Sequence, residues 1–68
     1  MEIEITLNGE PLHVPQGTSV ADLIGSLALL PEQVAVECNR RLVRRVEHGA
    51  TRLEPGDEVE VVTLVGGG

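Results

Sequence analysis

The sequence predicts an α+β domain in which one helix packs on a mixed sheet of four to five strands. Polar and apolar residues alternate without a break over Glu2-Ile3-Glu4-Ile5-Thr6-Leu7 and again over Glu58-Val59-Glu60-Val61, the period of a strand with one buried face. Between them, Val20, Leu23, Ile24 and Leu27 recur at i, i+3, i+4 and i+7, the stripe of one amphipathic helix. Turn signals separate these runs, Asn8-Gly9 near the start and Pro55-Gly56-Asp57 before the last strand. Sixty-eight residues allow a single domain, since domains usually run to about 100 residues.

Ile3, Ile5 and Leu7 share the inward face of the first strand. Asn8-Gly9 reads as a two-residue hairpin turn, because both central positions of a type I′ turn need φ above zero. The second strand runs from Glu10 to Val14 with Leu12 and Val14 inward. Pro11 has no N–H to give a ladder, which assigns that strand to a sheet edge. Pro15-Gln16-Gly17 breaks the strand, and Thr18 or Ser19 caps the helix. Ser19 with Asp22 three residues later has the form of a capping box. Gly25 within the helix is worth about 1 kcal/mol less than Ala, and Pro31 ends the element by Leu29. Val34, Val36 and Cys38 then mark a third strand, Asn39-Arg40 a turn and Arg41-Leu42-Val43 a short fourth strand. Over 44–53, a loop or single helical turn, Ala50 and Leu53 are expected to tuck inward. The last strand is expected from Glu58 to Val65. The crossover from strand two through the helix to strand three suits a β-grasp arrangement, with first and last strands parallel at the centre. Residues 1–65 then form the domain and 66–68 a flexible tail.

Composition narrows the function. Val, Leu and Ile supply 22 residues, and the chain has no Phe, Tyr, Trp or Lys. Binding of single-stranded nucleic acid relies on aromatic stacking, which this chain cannot offer. Eleven acids against five arginines, net −6, repel nucleic-acid phosphates and anionic membranes alike, so neither is an expected partner. One cysteine forms no intramolecular disulfide, no apolar run spans a bilayer, and Met1-Glu2-Ile3-Glu4 lacks the character of a signal peptide. A cytoplasmic location is the expectation. Substrate pockets enclose about 300–1,000 Å³, which would hollow out so small a core. The chain is therefore expected to act through its surface or termini and not as an enzyme.

No catalytic or metal-binding constellation is legible. His13 and His48 fall on an edge strand and in a loop, and with Cys38 they fall short of the four paired ligands of a structural zinc site. Cys38 shares a face with Val34 and Val36 and reads as a buried small hydrophobe. Arg40, Arg41, Arg44 and Arg45 cluster within six residues, which suits a solvated edge that discourages sheet-to-sheet pairing, with a docking patch as the rival reading. Glu2, Glu4, Glu58 and Glu60 face outward on neighbouring strands and suit an arginine-bearing partner.

The last strand breaks its own pattern. If Thr63 and Val65 continue the inner face, Val62 and Leu64 point outward beside the tail, where a partner gripping it needs an apolar anchor. Val62, Leu64 and Val65 are the candidate contacts. Gly66, Gly67 and Gly68 add nothing to a core, but glycine backbone threads channels closed to other residues. Extended, they reach roughly 10 Å. The carboxylate of Gly68 is the candidate reacting group.

In order and over essentially its whole length, the chain resembles the ThiS sulfur carriers of thiamine biosynthesis, which are ubiquitin-like β-grasp proteins. The resemblance rests on the opening strand into Asn8-Gly9-Glu10, Thr18-Ser19-Val20-Ala21-Asp22-Leu23 and Val34-Ala35-Val36-Glu37 with Asn39. It continues through Pro55-Gly56-Asp57, Val59-Glu60-Val61-Val62 and Val65-Gly66-Gly67-Gly68. It implies that an E1-like adenylyltransferase of the ThiF type activates Gly68 with MgATP, that a persulfide sulfur donor displaces AMP to leave a thiocarboxylate, and that a thiazole synthase of the ThiG type takes up the sulfur. The carrier itself binds no cofactor or metal in this scheme. Alternatives are the molybdopterin synthase small subunit, carriers for tRNA thiolation or cysteine synthesis, a TGS-like binding module and a ubiquitin-type modifier.

Overall fold

Two left-handed residues start the fold. Asn8 and Gly9, at φ 51° and 84°, join β1 (Glu2–Leu7) to β2 (Glu10–Pro15) as the sequence predicts, and pair Ile3 with Val14 and Ile5 with Leu12 on the inner face. The computed structural model describes residues 1–64; Val65 and Gly66 to Gly68 lie outside the described residues. After α1 (Val20–Ser26) come β3 (Val34–Cys38), β4 (Arg41–Val43) and β5 (Glu58–Thr63). They form one sheet in the order β2-β1-β5-β3-β4. β1 and β5 are parallel at its centre, and the other neighbours are antiparallel. The expected β-grasp arrangement is thus present, with Pro11 on an edge strand.

Ile5, Val20, Leu23, Ile24, Val36 and Val59 are the largest fully buried side chains, the core between helix and sheet. The helix has only seven residues, too few to persist by local propensity. Its free N–H groups all find partners. The Val20 and Ala21 N–H groups donate to the carbonyls of Thr51 and His48, and Asp22 N–H donates to Ser19 Oγ at 3.0 Å. Ser19 N–H in turn donates to Asp22 Oδ2, completing the capping box.

Several expectations are corrected. The helix stops at Ser26 and not near Leu29, well before Pro31. Ala28 takes a left-handed φ of 60°, its N–H donates to the Gly25 carbonyl, and Leu29 N–H donates to that of Ile24. These are the reversed bonds of a Schellman stop, with alanine where glycine is usual. Leu27, the fourth residue of the expected apolar stripe, is consequently exposed, and Leu29 packs against the core instead. A 3₁₀ turn, Pro31–Gln33, leads into β3. Ala50 is exposed; of residues 44–53, Val43's successors contribute Leu53 and His48 to the interior instead, behind a 3₁₀ turn at Arg45–Glu47. β5 ends at Thr63, which is exposed and adds nothing to the inner face. Cys38 is half-buried at the margin of the core.

Two outcomes are expected. Ala28→Gly removes the left-handed penalty and stabilises the fold by about 1 kcal/mol in urea unfolding, the reverse of the usual effect of glycine near a helix. The hydrogen bonds from Ser19 hold the Asp22 carboxyl below its ordinary value. A carboxylate with a depressed folded pKa stabilises above its unfolded value of about 3.9 and loses that contribution as pH falls through the folded value. Asp22→Asn should therefore flatten the acid limb of stability below about pH 4, measured by urea midpoints across pH.

Candidate functional site

The C-terminal end of β5 is where the sequence places its chemistry, and the described residues fix how the chain approaches it. On one side β5 is paired with β3 from Val59↔Cys38 to Thr63↔Val34, and Leu64 N–H extends the ladder by donating to the Gln33 carbonyl at 2.8 Å. On the other side backbone pairing with β1 stops early. Asn8 N–H donates to the Val59 carbonyl, and the chain then turns away into the hairpin. The Asn8 side chain takes over: its Oδ1 accepts from Val61 N–H at 2.9 Å and its Nδ2 donates to the Val61 carbonyl at 3.2 Å.

Val62 and Leu64 point to solvent, 57% and 55% exposed, on the sheet face away from the helix. Val62 lies opposite Ala35, and Leu42, 65% exposed, lies opposite Glu37 on the same face. Val65, Gly66, Gly67 and Gly68, the remaining candidates, lie outside the described residues.

The outer acids are arranged differently from the simple expectation. All of Glu2, Glu4, Glu58 and Glu60 are exposed, but the register Thr6↔Glu58 staggers the β1 pair along the strand from the β5 pair. Glu37 joins the β5 acids instead, directly opposite Glu60. Like charges so placed repel. Glu37, Glu58 and Glu60 line a hollow of about 270 Å³ with Arg40, the one cation there. Arg40 sits in the β3–β4 turn at φ 69°, a left-handed conformation unfavourable for a side chain of its kind. Strict alternation of Val34 to Cys38 would have found Glu37. Arg41, Arg44 and Arg45 are also exposed, on or just after the edge strand β4.

The sequence places His48 in a loop with no role, whereas the ring is buried. Its Nε2 lies 3.2 Å from the Val43 carbonyl, and its Nδ1 is buried without a hydrogen-bond partner. His13 stands on the edge strand β2, opposite Glu4, whereas His48 follows the 3₁₀ turn at Arg45–Glu47. Among the described residues no group of three His, Cys, Asp or Glu side chains could hold a metal ion, and no helix is long and apolar enough to cross a membrane.

Burial pushes the Cys38 thiol up to about 11, and the Asp57 carboxylate beside it adds to the shift. A thiol held neutral is a poor nucleophile. Maleimide labelling of Cys38 at pH 7.5 should be much slower in the folded protein than in urea, and Asp57→Asn should narrow that gap.

A five-stranded mixed sheet clasping one helix, with its last strand at the centre, defines a ubiquitin-like β-grasp protein. A model of the ThiS family matches residues 2–68, and the chain belongs to that family. The crystal structure of thiamine biosynthesis protein ThiS from Geobacter metallireducens superposes with a TM-score of 0.82 at 33% identity, covering 97% of this chain and all of the other. A thiazole synthase from Magnetococcus marinus is 44% identical over 97% of this chain, and the chain spans 20% of that relative's length. An uncharacterized protein, ycf40, from Pyropia yezoensis is 39% identical, with 97% of this chain and 93% of the relative covered.

Proposed function

We propose that this protein is a sulfur carrier of thiamine biosynthesis, and that it is a co-substrate of partner enzymes and not itself an enzyme. The observation that carries the reading is that β5, the central strand, ends at Thr63, five residues in sequence before Gly68, and that the family match includes the glycines. A strand anchored on both sides turns the whole body into a handle for its own C-terminus. Residues 1–65 form that handle and 66–68 the delivered segment.

In the proposed reaction a carboxylate oxygen of Gly68 attacks the α-phosphorus of MgATP in an E1-like partner of the ThiF type, expelling pyrophosphate. The acyl adenylate makes the Gly68 carbonyl carbon electrophilic. A terminal persulfide sulfur from a donor protein displaces AMP, and a thiol cleaves the resulting acyl disulfide to leave the thiocarboxylate. A thiazole synthase then accepts the sulfur. The two thiazole synthases similar to this chain, 44% and 30% identical, favour that acceptor class over other sulfur-using enzymes. The chemistry asks nothing of the carrier's side chains. Gly66 and Gly67 give the narrow backbone that threads the partner's channel, and Val62, Leu64 and Val65 give the apolar contact beside it. The carrier holds no cofactor in this scheme, ATP and magnesium belonging to the partner.

Intact mass spectrometry tests the reading. Incubation with an E1-like enzyme, MgATP and a persulfide donor should replace one oxygen by sulfur, and deletion of Gly67-Gly68 should abolish the shift. An unmodified mass in the intact protein overturns the proposal.

A further inference from the structure

We infer that Asn8 is a positioning residue whose side chain replaces the missing strand beside Val61 and thereby aims the C-terminal segment for reaction; the aiming role rests on the carrier reading above. The β1–β5 ladder needs a partner for the Val61 N–H and carbonyl, because the odd-numbered residues of β5 direct their backbone groups toward β1: Asp57 and Val59 both accept there, from Thr6 and Asn8. The β1 backbone cannot supply that partner, since the hairpin diverts it at Asn8-Gly9. A carboxamide offers the C=O acceptor and N–H donor of a peptide bond, with one further N–H to spare, and Asn8 presents an acceptor and a donor to one residue. Aspartate at this position could accept from the N–H but would set an oxygen against the Val61 carbonyl. Asparagine also tolerates the left-handed φ of 51° that the turn requires.

The placement gives this clamp its effect. Val61 is buried, and the next two outward residues, Val62 and Leu64, are the exposed apolar pair that leads toward Gly68. Beyond the clamp Thr63 makes no hydrogen bond on the β1 side among the described residues. Among the described residues Asn8 is therefore the last support on that side, with Gln33 the last on the other. Without it, the strand is held on one side only from Val61 onward.

Asn8→Gly isolates the clamp, because Gly-Gly keeps the type I′ turn and removes only the carboxamide. Two readouts are needed. Amide hydrogen exchange by NMR should show the Val61 N–H losing protection in Asn8→Gly, while Ile5 and Val36 keep theirs. Adenylation by the E1-like partner, followed as ATP–pyrophosphate exchange, should show kcat lowered about tenfold by misplacement of the carboxylate, with KM changed little because the docking face is untouched. Asn8→Asp keeps an acceptor for the Val61 N–H and loses only the donor to its carbonyl, so Val61 protection at pH 7 should fall between those of wild type and Asn8→Gly; protection no better than in Asn8→Gly overturns the clamp. Unchanged Val61 exchange in Asn8→Gly overturns the clamp, and unchanged kcat overturns the aiming role. A wild-type chain that supports no exchange overturns the carrier reading and the aiming role with it, leaving the clamp to stand or fall on the NMR result.

Discussion

The parallel pairing of β1 with β5 is the contact on which the rest of the structure depends. It joins the two ends of the chain, Thr6 beside Glu58 and Leu7 beside Val59, across some fifty residues of sequence. Closing so long a loop costs entropy before it returns any burial. The return comes from what the pairing assembles: the β1–β2 hairpin supplies Ile3, Ile5 and Val14, and the β3–β5 ladder supplies Val34, Val36, Val59 and Val61. Neither half covers the helix alone. The same register decides the outer face, since it staggers the β1 acids away from Glu58 and Glu60 and leaves Glu37 as their neighbour.

The helix depends on that closure as well. Seven residues with one glycine do not hold a helix in water. What stabilises α1 is the burial of Val20, Leu23 and Ile24, together with the 48–53 segment lying across its start. That segment gives two carbonyls to the helix N-terminus, while Leu53 N–H donates back to the Thr18 carbonyl. His48 is buried as a consequence, its ring filling space behind the segment whose backbone serves the helix.

Wherever one residue type carries a conformational demand, the structure follows the sequence. Period-two alternation assigns the inward face of β1 and, at Val59 and Val61, that of β5, and Asn8-Gly9, Pro11 and the Ser19/Asp22 pair announce the turn, the edge and the cap that the structure contains. Illegible features depend on neighbours remote in sequence. The helix ends at Ser26 because Ala28 accepts a left-handed conformation that alanine does not advertise. Ala50 and His48 exchange places because the backbone of 48–51 is positioned by the helix it caps, so the larger ring occupies the interior. Thr63 is exposed although the alternation would place it inward beside the buried Val61. Asn8 was readable as a turn residue, but its second task appears only when β5, 53 residues away, is laid beside it. For the candidate site, the outward Val62 and Leu64 were legible from the broken alternation, whereas Glu37 and Arg40 joined the β5 acids only through the sheet register.

The absence of aromatic side chains fits a body of this architecture. A two-layer domain with a seven-residue helix has a thin interior, and aliphatic side chains of similar size fill it. The mechanical quality that matters in the proposed role is how little of the chain near Gly68 must be ordered when a partner takes hold. Each residue fixed on binding costs about 1–2 kcal/mol of backbone entropy. Pairing through Leu64 on the β3 side and through the Asn8 carboxamide on the other fixes the strand in advance, as far along as the sheet allows. The division between an aliphatic body held on both sides and a bare terminal segment is what the sequence composition encodes.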